Sequence, residues 1–294
     1  TWKHVNAETR IKSPKIRKEG QLAEVGWDEA IAKVASELKT FHKNEIALLG
    51  SAFATNEDNY LFAKFAKDVL GVHTIDFARH RVEGDEDAIL IRADKTPNTT
   101  GAEEVGVVPR DGGLHVAEII HAIKEGKIKA LYCLEDDIAA IPEMEKVLSR
   151  LEFFVIHATN HTKSTELADV VLACSTFAEK NGTVTNFQNR VQRIRSAVAT
   201  LEQDRALDGF EMSRWDKFAS HNDKWGKGPK RDARPSWKII ASIAGVMGAK
   251  FKYNAADEVF NEIAQKVESF KGLSYLKIGK KGAQLKKKKT EVAA

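Results

Sequence analysis

Four groups of residues in this chain have the types and spacing that chemistry needs. Gly50-Ser51 follows a short apolar run, Ile46-Ala47-Leu48-Leu49, and precedes a helix-like stretch. That is where a doubly wound fold places phosphates, although one glycine without G-x-G-x-x-G or Walker spacing is equally an ordinary tight turn. Glu135-Asp136-Asp137 closes another apolar run. Clustered carboxylates suit a hard cation, but an acidic run before a helix is also plain surface favoured by the helix dipole. His157 and His161 stand four apart, with no neighbouring carboxylate to complete a metal set. The two cysteines, Cys133 and Cys174, lie in or just after apolar runs, which reads as small core residues and not as nucleophiles. Composition and spacing alone single out no active site and no metal.

The elements that must position these residues follow from periodicity. Trp27, Ile31, Val34, Ala35 and Leu38 fall at helical spacing. Thr55 and Asp58 form a capping-box pattern for a helix carrying Tyr60, Phe62, Phe65 and Val69 inward and stopping at Gly71. Val72–Asp76 is then a strand, giving one strand–helix–strand unit. Ala88-Ile89-Leu90-Ile91 is strand-like, 94–113 is loop, and a helix with Val116, Ile119, Ile120 and Ile123 inward ends near Gly126. Ala130–Leu134, Phe153–Ile156 and Val170–Leu172 complete the strands, with a short helix over 142–151. Continuous apolar strands separated by amphipathic helices predict an α/β fold, a doubly wound, Rossmann-like parallel sheet covered on both faces. The expected organisation is an extended segment over 1–26, the α/β domain over 27–200, a polar linker over 201–235, a helical extension over 236–270 and a Lys-rich tail over 271–294.

The chain has 294 residues, enough for one large or two ordinary domains. Mean hydropathy is −0.37 and no stretch is apolar enough to span a membrane. Two cysteines cannot supply a disulfide scaffold or a four-cysteine iron–sulfur site within this chain. The net charge of +4 is uneven: the last 24 residues carry +7 and the rest −3. A solvated tail explains this better than nucleic-acid binding, which needs Arg, aromatics and a basic face on the folded part. The sequence opens at Thr1, as expected of a processed product or a piece of something longer.

One segment adds a resemblance. Leu167-Ala168-Asp169-Val170-Val171-Leu172 is followed by Thr176-Phe177-Ala178-Glu179-Lys180-Asn181-Gly182-Thr183-Val184-Thr185-Asn186 and by Arg190-Val191-Gln192. This resembles the E-x-A-D-V-V-L-P…F-x-E-x-x-G-T-x-x-N-x-x-x-R signature of the molybdopterin oxidoreductase superfamily. Three stretches agree in order: Ser13–Arg17 with Val25–Ala30, Leu48–Ser51 with Thr55–Tyr60, and Ala93–Asn98 with Gly101–Glu103. Within the superfamily the sequence looks most like the large peripheral-arm iron–sulfur subunit of bacterial complex I, the NADH:quinone oxidoreductase.

That resemblance implies a structural, non-catalytic domain on the cytoplasmic side of a bacterial inner membrane, peripheral within a respiratory complex. The implied partners are other peripheral-arm subunits, including the iron–sulfur and NADH-binding ones, with no nucleic acid and no direct membrane span. It implies no cofactor in this chain, with iron–sulfur clusters on partners or on N-terminal domains outside it. Gly50, Ser51, Gly182, Thr183, Asn186 and Arg190 become candidates for a relic pterin site. The pattern also departs from the family: Asn186-Phe187-Gln188-Asn189-Arg190 stands where N-x-E-G-R is usual, and the one cysteine of the expected metal-binding interval, Cys133, sits within an apolar strand. The alternative reading is a subunit of a formate-dehydrogenase-like molybdopterin enzyme.

Overall fold

The computed structural model describes residues 2–198, 200–201 and 231–286. Most of the expected 201–235 linker and the tail beyond 286 lie outside the described residues. In chain order the elements are α1 (Trp2–Val5), β1 (Lys15–Lys18), β2 (Gln21–Glu24), α2 (Trp27–Leu38), β3 (Ile46–Gly50), α3 (Asn56–Phe65), β4 (Ile75–Phe77), α4 (Thr99–Glu104) and α5 (Val116–Lys124). There follow β5 (Ala130–Leu134), α6 (Met144–Leu148), β6 (Phe153–Ala158), α7 (Lys163–Leu167), β7 (Val170–Ala173), β8 (Gly182–Thr185) and β9 (Arg190–Ile194). Beyond residue 231 come α8 (Ser236–Val246), α9 (Ala256–Lys266), α10 (Tyr275–Ile278) and β10 (Ala283–Gln284).

The main sheet has the order β2-β1-β7-β6-β5-β3-β4, in which β7, β6, β5, β3 and β4 run parallel. Their residues are buried on both faces, so these strands read as unbroken apolar runs. From β3 the chain steps outward to β4, then returns past β3 to β5, β6 and β7. Right-handed crossovers in opposite directions place their helices on opposite faces. Accordingly α8 packs with both α2 and α3, while α6 packs with both α5 and α7. The reversal makes the β3/β5 pair the topological switch point, outside whose carboxyl ends ligands of such folds bind.

The doubly wound expectation matches the structure, and several local readings match it to the residue. Thr55 Oγ1 accepts from the Asp58 amide, and Asp58 Oδ2 accepts from the Thr55 amide, closing the capping box. Gly71 ends the helix with φ of 65°, in the left-handed region where glycine is least strained. Three differences stand out. Residues 15–24, expected as part of an extended segment, form a hairpin whose Lys15 and Ile16 pair with Val171 and Val170 at the sheet edge. More sharply, Ala88–Ile91 is no strand: Ile89 and Leu90 are 94% and 82% exposed in a loop. The Asp87 carboxylate accepts from the amides of residues 89, 90 and 91, which turns the backbone and prevents extension. Residues 99–104, read as loop, are α4, a turn and a half of helix.

Candidate functional site

Two cavities open where the switch point predicts. One, of about 730 Å³, lies outside the carboxyl ends of β5, β6 and β7 and is walled by Phe53, Pro97 and Phe177. The other, of about 810 Å³, lies outside the end of β4. Phe53 borders both. The His80 ring sits 5.2 Å from that of Phe53, and His80 Nε2 is 2.7 Å from Asp136 Oδ2. This hydrogen bond to the carboxylate raises the pKa of His80, and the hydrogen-bonded pair and an aromatic ring separate the two spaces.

The 730 Å³ cavity is rich in acceptors. Glu135, Asp136 and Asp137 line it, together with Asn160 and Thr162. Asn160 is nine-tenths buried, and its Oδ1 has no hydrogen-bond partner; Thr162 Oγ1 is likewise unpartnered. Buried acceptors left in that state call for a donor from a ligand or water. Among the described residues lining the cavity, His4 is the one basic side chain, and burial together with Arg10 pushes it toward its neutral form. The site therefore suits a flat, apolar-faced group with an N–H-rich edge, and offers little to a bare phosphate.

Behind the cavity wall runs a buried polar network. Lys180 is 1% exposed and its Nζ donates to Asp58 Oδ2 at 2.8 Å and Glu135 Oε1 at 2.6 Å. Burial opposes charge on all three groups. The two carboxylates nonetheless hold Lys180 above its ordinary pKa, and Lys180 holds Asp58 below the usual carboxylate range, while burial keeps Glu135 above it. Ser236 Oγ donates to Glu135 Oε1 at 2.6 Å and lies 2.9 Å from His157 Nδ1, whose Nε2 is 2.7 Å from the Tyr132 hydroxyl. Burial pushes His157 down to about 3, so the ring is neutral and its second nitrogen accepts from Tyr132. His157 is thus a satisfied core residue, while His161 stays at the surface. The acidic run after β5 is not plain surface as the sequence suggested: the side chain of Glu135 and the whole of Asp136 are buried, because Lys180 and His80 reach them from distant segments.

The six candidates from the resemblance lie elsewhere. None of them lines either cavity. Ser51 is fully buried, with Oγ accepting from the Phe53 amide and donating to the Glu135 carbonyl. A Cβ on Gly50 would fall 2.5 Å from Val107 Cγ1. Thr183 donates its amide and hydroxyl to Glu57, and its hydroxyl also accepts from Asn56. Asn186 Oδ1 accepts from the amides of Gln188 and Arg190, and Arg190 Nη1 donates to the Lys281 carbonyl. These residues join the start of α3 to the β8–β9 hairpin. A Cβ on Gly182 would meet Thr55 Cγ2 at 2.7 Å and Glu57 Oε2 at 3.0 Å. Gly182→Ala is expected to destabilise the chain by about 1–3 kcal/mol through overpacking of this joint. Thermal unfolding checks it, and an unchanged Tm would show that the joint yields freely.

Sequence reasoning missed Lys180, Asn160 and Thr162 as site-forming residues. Lys180 stands within the 176–186 motif without any local sign of burial. Cys133 and Cys174 are fully buried, and burial raises both thiols well above their ordinary pKa, against a nucleophilic role. Among the described residues no group of three or more His, Cys, Asp or Glu side chains is disposed to hold a metal ion, and no helix is long and apolar enough to cross a membrane.

Comparison with known proteins adds the family. Residues 10–100 and 81–206 match the model of the molybdopterin oxidoreductase family. The putative formate dehydrogenase YrhE of Bacillus subtilis (strain 168) is 32% identical over 179 residues, covering 59% of this chain and 15% of that protein. The F420-dependent formate dehydrogenase 2 subunit alpha of Methanococcus maripaludis is 34% identical over 187 residues, covering 62% of this chain and 23% of that protein. The chain thus spans less than a quarter of these two relatives. Among solved structures, acetylene hydratase from Pelobacter acetylenicus superposes with a TM-score of 0.56 over 93% of this chain and 66% of that one, at 10% identity, a likeness of fold alone. These relatives overturn the expectation of a complex I subunit. The respiratory NADH:quinone role and the peripheral-arm partners fall with it, because the similarity runs to formate dehydrogenases.

Proposed function

The chain belongs to the molybdopterin oxidoreductase family, and we propose that it forms part of a formate-dehydrogenase-type oxidoreductase, where it builds one wall of the crevice that receives the pterin cofactor. The observation carrying this reading is the acceptor-rich cavity outside β5, β6 and β7, with Asn160 Oδ1 and Thr162 Oγ1 unpartnered. Were a pterin held there, Asp136, Asp137 and Asn160 would be the acceptors for the N–H groups of its amino-pyrimidine ring, and Phe53 and Phe177 would be the apolar side chains that hold it. Among the described residues that line the cavity there is no lysine or arginine for its phosphates, which we assign to other parts of the assembly.

When bound, the group supplies the molybdenum-centred two-electron exchange of the family. The residues of this chain bind and orient it. Lys180 keeps Glu135 and Asp58 compensated behind the wall, Phe53 and Phe177 keep water from the ring faces, and the His80–Asp136 pair closes the side toward β4. Both cysteines are buried in the core, so we place any iron–sulfur clusters on other segments of the assembly.

Acid extraction tests the reading. The chain isolated with its native partners is expected to release a fluorescent oxidised pterin in step with molybdenum or tungsten. An Asn160→Leu variant is expected to retain roughly tenfold less of it, one charge-free hydrogen bond being worth about 1–1.5 kcal/mol. A native assembly free of pterin would overturn the proposal. Pterin content indifferent to Asn160 would remove this cavity from it.

A further inference from the structure

The exposed Ile89-Leu90-Ile91 run has no role in the crevice, and its construction is not that of a slack loop. Residues 80–82 and 93–95 clamp its base: the Val82 amide donates to the Ala93 carbonyl and the Lys95 amide to the His80 carbonyl, at 3.0 and 2.9 Å. Lys95 Nζ pairs with Asp85 at 2.6 Å, and Arg92 lies 3.9 Å over the ring of Phe187. At the tip, Asp87 Oδ1 gathers three successive amides at 2.6–2.9 Å, and its own amide donates to the Ile91 carbonyl. The apolar side chains are therefore presented on a preorganised turn. Val82 and Phe187, each about half exposed, extend the same surface. Single exposed apolar residues need no explanation, but a contiguous set held out by a built turn marks an interaction surface. Preorganisation lowers the ordering cost of binding.

The charge on the tip narrows the partner. Residues 82–91 carry Glu83, Asp85, Glu86 and Asp87 and no Lys or Arg; Arg81 and Lys95 at the base pair with Glu83 and Asp85, which leaves the acidic excess at the tip on Glu86 and Asp87. We infer that this loop is a docking plug, whose three apolar side chains enter a socket rimmed by Lys and Arg on another polypeptide segment of the same oxidoreductase. The identity of that occupant rests on the proposed function, since the formate dehydrogenase relatives extend far beyond the stretch they share with this chain. Acidic residues around an apolar centre give register and repel like-charged surfaces, including anionic lipid.

A photo-cross-linking side chain in place of Leu90, irradiated in the native assembly and followed by peptide mass spectrometry, tests the inference. The expected product joins position 90 to one peptide of another oxidoreductase segment, with apolar residues flanked by Lys or Arg. In parallel, Ile89→Glu with Leu90→Glu is expected to lower co-purification of the assembly at least tenfold while leaving the Tm of the chain unchanged. Cross-links only within the chain, to a second copy or to lipid would overturn it, as would wild-type co-purification of the double variant. If the chain travels with formate-oxidising activity while position 90 joins nothing, the plug fails and the function stands. If position 90 enters a basic-rimmed socket on a protein without redox function, the function fails and the plug stands.

Discussion

Lys180→Met is expected to destabilise the folded chain by about 3–5 kcal/mol, the cost of leaving buried carboxylates without their cation. Asp58 and Glu135 both point at Lys180 Nζ, and side-chain exposure across the three is 6% or less. Methionine keeps most of the volume and removes the charge, so the loss reports electrostatics and not a cavity. Both carboxylates would then have to take up protons, and the variant is expected to recover part of its stability as the pH is lowered toward about 4, near the ordinary carboxylate range. Urea unfolding at neutral pH and near the ordinary carboxylate pKa measures both effects. A loss below about 1 kcal/mol at neutral pH would mean that water reaches the triad. Adding Asp58→Asn and Glu135→Gln to Lys180→Met is expected to restore much of the loss, because no uncompensated charge remains.

Glu57→Gln is expected to act in the opposite direction, and increasingly so as the pH rises above 4.5. Glu57 is fully buried; its oxygens accept from the Thr183 amide, the Thr183 hydroxyl and the Tyr275 hydroxyl, and no cation is among these contacts. Burial outweighs those hydrogen bonds and raises its pKa from 4.5 to about 7. A carboxyl with a raised pKa binds its proton more tightly in the folded state. Its contribution is complete below pH 4.5 and is lost as the pH rises through about 7, an effect on the order of 3 kcal/mol. The glutamine variant lacks this slope. It should match the parent near pH 4.5 and exceed it by up to about 3 kcal/mol at about pH 8, read from paired urea titrations. Parallel pH profiles for the two proteins would show that Glu57 ionises freely in the fold.

The two experiments probe one joint from two sides. Asp58 and Glu57 are consecutive residues in the first turn of α3, where carboxylates also benefit from the helix dipole. One faces Lys180 and is charged; the other faces the β8 strand and prefers to be neutral. Sequence reading found Asp58 as a cap, and the cap is real, but the same carboxylate also accepts from Lys180 and, through Oδ1, from the Trp237 amide 179 residues away. A capping pattern is local and shows in spacing; a contact across the chain does not.

The same contrast runs through the molecule. The strands β3, β5, β6 and β7, the apolar stripe of α2, the α3 cap and the Gly71 terminator follow from near-neighbour chemistry, namely the periodicity of burial and the needs of helix ends. Those signals were sufficient for the doubly wound class, and the motifs between residues 14 and 192 for the family. Ile89–Ile91 shows where periodicity stops being informative, because an apolar run has the same composition whether it is buried in a sheet or held out on a turn. Only the folded chain decides that Asp87 caps the turn, that Glu135 and Asp136 are walls and not surface, and that Asn160, its Oδ1 unpartnered, lines a cavity. Glu135 and Asp136 are held by Lys180 and His80, groups distant in sequence, and a linear pattern holds no record of which distant group arrives.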